Sequence, residues 1–322
     1  MNDSTKKFLQ LVNDIDHYTE LVSISPIFRE RFMKQVMGSR RIIVTGTGTS
    51  MPTAQYLTAR LQELYPAKPT YFLPTAKAIR AVKHIDSADL VVVISYGLNR
   101  ADSLIILEKA IEGCATISIS GNQTPPIRPI LNIIIPPEEE KIFCRPISPL
   151  TTLMAIEQIC GGITTTIRKD ETIISLAQEL DPKKQTIILY AAGVSFAAEL
   201  WGIVLREGAG MNVSVKDMEN YAHGYYGTDT ARLDQIQYII LKSDSAEDER
   251  DFMRAKNLYE IKNFKKFIIT VHGNMYAANA ALFRQAPDIV LGLLLRTGYD
   301  MYAPNGMDEN RKYHEYEYYK DY

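Results

Sequence analysis

Two short stretches combine glycines, hydroxyls and a strand-to-helix transition in a way that suits an anion. GTGTS (46–50) follows the apolar run RIIVT (41–45). VVVISYGLNRADSL (91–104) carries four apolar residues into Ser95, a short polar loop, and a helix-like segment from Ala101. A loop between a strand and a helix gathers backbone N–H groups and the positive end of the helix dipole at one point. The first loop adds Gly48 and the hydroxyls of Thr47, Thr49 and Ser50; the second adds Ser95, Tyr96, Gly97, Asn99 and Arg100. A dinucleotide fingerprint needs a third glycine where Met51 stands and an acid after the next strand, which ends YFLPTA; the lysine of a triphosphate loop is also missing. What is left is a small phosphorylated or carboxylated ligand. The structural alternative is that hydroxyl-rich turns only cap their helices.

The elements that must position these loops follow from periodicity. Strand-like runs at 41–45, 69–73, 89–95, 114–119 and 131–135 alternate with helical patterns at 75–83 and 101–112. A further helix opens near Pro52, with Ala54, Leu57, Leu61 and Leu64 on its apolar face. The run 91–94 is apolar without alternation, as in a parallel strand covered on both faces. Helices over 6–22 and 27–37 precede the first strand, so residues 1–160 read as one doubly wound α/β unit. Its crevice opens where the carboxyl ends of strands one and three diverge. After a helical connector (150–180) the order restarts: strand 186–190, a glycine turn, a long helix 195–209, strand 212–215, strand 236–241, a charged helix 246–261 and strand 266–271. The run 288–296 is read as helix. The fold class is therefore α/β, two tandem doubly wound parallel-sheet units related by a pseudo-two-fold repeat, with the second unit over 161–322. The tail YHEYEYYKDY (313–322) holds five tyrosines in ten residues; a terminus of little order and a surface packed on a partner subunit are both open.

A formal charge of −2 with 46% hydrophobic and 23% charged residues gives no reason to expect nucleic acid or a membrane surface as partner. The longest apolar run, Ile289 to Leu295, falls far short of the roughly 20 residues of a membrane span. The charged amphipathic start does not read as a secretory signal. Cys114, Cys144 and Cys160 show neither pairing pattern nor metal spacing, so the expectation is a cytoplasmic chain with reduced thiols and no metal.

Strand–GTGTS–helix followed by VVVISYGLNRADSL resembles the sugar isomerase (SIS) family. In the second half, GVSFAAELWGIVLREGAG (193–210) resembles that family's glycine turn and acid-ended helix, and MENYAHGYYG (218–227) resembles its acid–His-Gly segment. The resemblance covers nearly the whole chain as two tandem units. It is similar to the isomerase half of glucosamine-6-phosphate synthase, to fructosamine-6-phosphate deglycases and to double-SIS phosphoglucose isomerases. It implies a phosphosugar or amino-sugar phosphate isomerase or deglycase that opens the ring and shuttles a proton between C1 and C2. It further implies Glu207 as the base, His223 as the ring-opening group, a homodimer, and no cofactor. A partly buried carboxyl with a raised pKa suits such a shuttle, and a carboxylate at a helix C-terminus is otherwise disfavoured by the dipole. Glu199 and Glu219 are further acids on the same elements, each also readable as a solvated surface charge, and His223 is also readable as a packed structural histidine.

The sequence departs from the family pattern where it opens. Sugar-phosphate relatives show Ser-x-Ser-Gly-x-Thr after the third strand; here Ser95 is kept, and Gly97, Leu98 and Arg100 replace the second Ser, the Gly and the Thr. Arg100 either supplies a bidentate fork for phosphate or carboxylate or points to solvent and leaves the site empty. FCRPISPLTT (143–152) matches loosely, with Arg145, Ser148, Thr151 and Thr152 as possible contacts, and Lys312 is out of register for a Schiff-base lysine. SDSAED (243–248) puts acids at the matching strand end of the second unit, which argues against a second phosphate cradle. Two other functions therefore stand beside the isomerase: an enzyme retuned to a carboxylated or nucleotide-linked sugar, and a non-catalytic sugar-phosphate-binding regulator.

Overall fold

The computed structural model describes residues 1–136, 145, 147–162, 171–222, 234–259 and 265–299. Cys144, His223, Lys312 and the tyrosine-rich tail lie outside the described residues.

The first unit is built on a five-stranded, all-parallel sheet: β1 (Arg41–Gly46), β2 (Thr70–Phe72), β3 (Asp89–Ile94), β4 (Ala115–Ser120) and β5 (Leu131–Ile134), in the order β2-β1-β3-β4-β5. All six residues of β3 are buried, as its unbroken apolar run requires. One face of the sheet packs Ile43, Val91 and Val93 against Ala78 of α5 (Thr75–Ala81) and Ile106, Leu107 and Ala110 of α6 (Ala101–Gly113). Two further helices, α4 (Ser50–Leu64) and α7 (Ile147–Cys160), pack on each other, and Tyr56 of α4 donates to the buried Glu157 of α7 at 2.8 Å. The amino end of the sheet is tied by Asp89, whose buried carboxylate meets Arg41 at 2.7 Å and Arg40 at 3.3 Å. Burial alone would raise its pKa, but the hydrogen bond from Arg41 and the Asp86 N–H hold it below the usual carboxylate range.

The second unit repeats the plan with β6 (Gln185–Tyr190), β7 (Val213–Asp217), β8 (Ile236–Ser243) and β9 (Lys265–Val271), ordered β7-β6-β8-β9 and again parallel. Numbered from its own first strand this is the order of the first four strands of the first sheet. The long helix α9 (Ser195–Ala209) spans the residues its periodicity predicts. It approaches β7 closely at Gly202, where a Cβ would lie 2.3 Å from Val215. The indole of Trp201 donates to the Leu282 carbonyl at 2.8 Å, locking α9 to the last described helix.

The remaining elements are α8 (Glu171–Glu179), the short turn α10 (Met218–Asn220), α11 (Ala246–Tyr259) and α12 (Met275–Thr297). Helix α12 runs through Pro287, so the predicted 288–296 is only its second half. At the N-terminus the expected single helix is two, α1 (Asp3–Asn13) and α2 (Ile15–Glu20), broken at Asp14 (φ −88°, ψ 4°); α3 (Pro26–Gly38) follows. In the second unit α1 packs on α12, and in the first α2 and α3 pack on α7.

Candidate functional site

The paired strands β1 and β3 end together, with Gly46 in register with Ile94. In a doubly wound sheet this is where the chain order reverses and a crevice opens at the carboxyl ends. Gly46 is needed for the closeness of the two loops, since a Cβ there would sit 2.6 Å from the Ser50 carbonyl oxygen and 3.1 Å from that of Ile94. Gly48 takes φ +56°, the left-handed region that favours glycine. The helix α4 then starts with Ser50 N–H and Met51 N–H donating to the carbonyls of Thr47 and Gly48 at 3.1 and 3.0 Å. Thr49 occupies the N-cap without a side-chain capping bond, so the capping reading of this turn does not account for its hydroxyl.

Across the crevice Ser95 is buried, and its N–H continues the sheet onto the Ile119 carbonyl at 3.1 Å. The rest of the loop is held from behind. Gly121 N–H donates to the Tyr96 carbonyl at 2.8 Å, and the Tyr96 ring lies so close over Gly121 that a Cβ there would be 2.5 Å from it. The Asn122 amide donates to the Gly97 carbonyl at 3.1 Å. The Asn132 amide donates in turn to the Asn122 carbonyl at 2.9 Å, while Ser118 and Ser120 donate to the Asn132 side-chain oxygen at 2.6 and 3.1 Å. The backbone bend falls on Leu98, at φ +45°, and not on Gly97. A non-glycine residue there costs about 1–2 kcal/mol, offset by burying the leucine fully among Ile43, Val91 and Ile106.

Asn99 and Arg100 are both exposed. Arg100 sits at the N-cap of α6 without a side-chain capping bond, and one of its guanidinium nitrogens lies 3.9 Å from where a Cβ of Gly48 would be. The arginine thus lies at the glycine turn. The structure brings Gly48, Thr49, Ser50, Ser95, Gly97 and Arg100 to one crevice with two helix N-termini. The local acid, Asp102, is engaged by the Ser103 N–H at 2.7 Å. A bound anion would meet backbone dipoles, hydroxyls and one cation. Thr151 and Thr152 are differently placed: their hydroxyls donate to the Ser148 carbonyl at 3.1 and 2.7 Å inside α7.

In the second unit the equivalent crevice, between the ends of β6 and β8, is filled. Asp248, on the first turn of α11 and 1% exposed, accepts from Gly193 N–H at 2.9 Å, from Ser243 N–H at 2.8 Å and from the Ser243 hydroxyl at 2.7 Å. The Gly193 carbonyl is held by the Asn279 amide at 2.7 Å. Beside this, Asp244 pairs with the exposed His272 at 2.7 Å, a hydrogen bond that holds its carboxyl below the usual range.

The candidate acids separate. Glu207 lies half-buried in the last turn of α9. Glu199, nearer the start of α9, is half-buried; burial pushes its carboxyl above its ordinary value, against the opposing charge of Arg206. Tyr190, at the end of β6, is raised first by burial and then by Glu199. Glu219 is exposed and lines a cavity of about 210 Å³ with Asp251 and Arg254. Among the described residues no cluster of three or more metal-ligating side chains is found, and no helix is long and apolar enough to cross a membrane. Sequence reasoning missed Asn122, Asn132 and Gly121, which shape the loop from the β4–β5 side; the turn-forming string GNQTPP signals the first and last of these, while Asn132 lies in the strand run LNII.

Comparison with known proteins agrees with this architecture. Residues 36–159, which contain both loops of the first crevice, match the family described as SIS domain. No curated protein matches the sequence. Among solved structures the fold is similar to the C-terminal domain of glucosamine-fructose-6-phosphate aminotransferase from Francisella tularensis (14% identity, 92% of this chain and 98% of that one, TM-score 0.70). It is similar also to glucosamine-6-phosphate deaminase from Thermotoga maritima (14% identity, 93% and 97%, TM-score 0.67). A third similar structure is tagatose-6-phosphate ketose/aldose isomerase from Escherichia coli (14% identity, 94% and 93%, TM-score 0.66).

Proposed function

We propose that this chain, with a SIS domain at residues 36–159, is an enzyme of the phosphosugar isomerase kind. The observation that carries the reading is the first-unit crevice, where Arg100 meets the Gly48 turn and the Ser95 strand end at two helix N-termini. The names of the similar structures support the substrate class, since each concerns a 6-phosphorylated sugar or amino sugar. In this reading the crevice holds the anion, His223 opens the ring, and Glu207 moves the proton between C1 and C2. The chain works as a homodimer in the cytoplasm, as an isomerase or a deglycase. Turnover of Glu207→Gln and His223→Ala on a panel of hexose and amino-sugar phosphates tests it. Both variants are expected to lose at least 100-fold in kcat, and unchanged turnover in both would overturn the assignment.

A second reading is favoured by the same arginine. Its planar fork suits a carboxylate as well as a phosphate. A carboxylated sugar that stabilises the chain more than any sugar phosphate, and loses that advantage in Arg100→Ala, would select it.

A further inference from the structure

The second crevice repeats the strand plan of the first. Each lies at the carboxyl ends of two adjacent parallel strands, β1 and β3 or β6 and β8, at the point where the strand order reverses. A glycine-containing turn follows the first strand of each pair and leads into a helix of 15 residues, α4 or α9. A serine stands near the end of the other strand of each pair, though not at the same position: Gly46 is in register with Ile94 and Tyr190 with Leu241, so Ser95 corresponds to Lys242 and Ser243 lies one residue further along. In the first crevice Arg100 lies at the Gly48 turn. In the second, a carboxylate sits among the donors: Asp248 takes Gly193 N–H with one oxygen, and Ser243 N–H and hydroxyl with the other. The fit is close, since a Cβ on Gly193 would lie 2.7 Å from one carboxylate oxygen and 2.9 Å from the other.

We propose that Asp248 is a built-in anion, occupying in the second unit the place that a ligand's anion takes in the first. The donor set is an anion site of carboxylate size, and the chain supplies the occupant from α11. The second unit is thereby withdrawn from ligand binding, and each chain takes one anionic ligand rather than two. The comparison rests on reading the first crevice as an anion site. The occupancy of the second does not, because it is written in hydrogen bonds of the chain itself.

Chemical rescue tests the proposal without an activity assay. Asp248→Gly removes the carboxylate and leaves its space. Asp248→Asn fills the space with an amide whose N–H₂ cannot accept. Thermal melts of both variants and of the wild type are compared in sodium formate and in sodium chloride of equal ionic strength. The expected result is that both variants melt below the wild type, and that formate raises Asp248→Gly saturably by at least about 5 °C beyond chloride. Asp248→Asn and the wild type are expected to share only the smaller gain that formate makes at the open first crevice. Should Asp248→Gly melt cooperatively only in formate, that too supports the proposal. Equal responses of all three proteins, or no formate response or recovery of folding in Asp248→Gly, would overturn it. A response shared equally by all three proteins belongs to a site outside the second crevice, so failure here is distinct from a failure of the first-crevice reading.

Discussion

The two crevices show how one backbone plan yields a receptive site and a closed one. In the first, hydroxyls and helix N-termini surround a space flanked by a cation; in the second, a carboxylate of the chain satisfies the donors at the glycine turn and strand end. The difference is local. The first unit places six residues, Ser95 to Arg100, between strand and helix, and ends them in an arginine. The second crosses with only Asp244 and Ser245, and puts an acid on the first helical turn. A short connection brings Asp248 back over the strand end, whereas the longer one, bent at Leu98 and held by Asn122, keeps the first mouth clear. Binding and burial are thus two uses of the same convergent dipoles.

Stability should separate the two sites most strongly. Asp248→Ala leaves Gly193 N–H and Ser243 N–H buried without their acceptor and is expected to cost about 3 kcal/mol in denaturant unfolding. Ser95→Ala, which removes a hydroxyl from the receptive crevice, should stay within about 0.5 kcal/mol. Comparable losses in both would erase the distinction between a structural and a binding crevice.

The smallest effect concerns Glu199. Burial raises its carboxyl above the ordinary 4.5. The folded state therefore holds the proton more tightly than the unfolded chain, and stability is lost as pH rises from the unfolded value through the raised one. Glu199→Gln should melt about 1–2 °C above the wild type at pH 7, with the gain vanishing near pH 4, where both states are protonated. A gain that persists at low pH would assign the effect to packing.

Much of this arrangement is visible in local pattern. The unbroken apolar run Leu90–Ile94 marks β3 as a buried parallel strand, and α9 spans the range read for it, 195–209. The anion loops are legible because glycine, hydroxyl and strand-to-helix order are local properties. What is not legible depends on distant partners. Leu98 carries the left-handed bend beside a glycine that does not, because the hydrophobic cluster beneath rewards burying leucine. Asn122 and Asn132 matter through carbonyls and hydroxyls on neighbouring strands. The helix read over 288–296 begins already at Met275, and α12 passes through the buried Pro287. Acids in SDSAED argue against a second cradle, but their spacing alone does not reveal that Asp248 turns inward to fill it.

The central claim, one receptive anion site per chain governed by Arg100, is tested most directly by calorimetric titration with inorganic phosphate and with glucosamine 6-phosphate. The wild type should bind one equivalent per chain, and Arg100→Ala should weaken that binding at least 10-fold without lowering the melting temperature of the unliganded protein. Two equivalents per chain, or a single site indifferent to Arg100, would contradict the account.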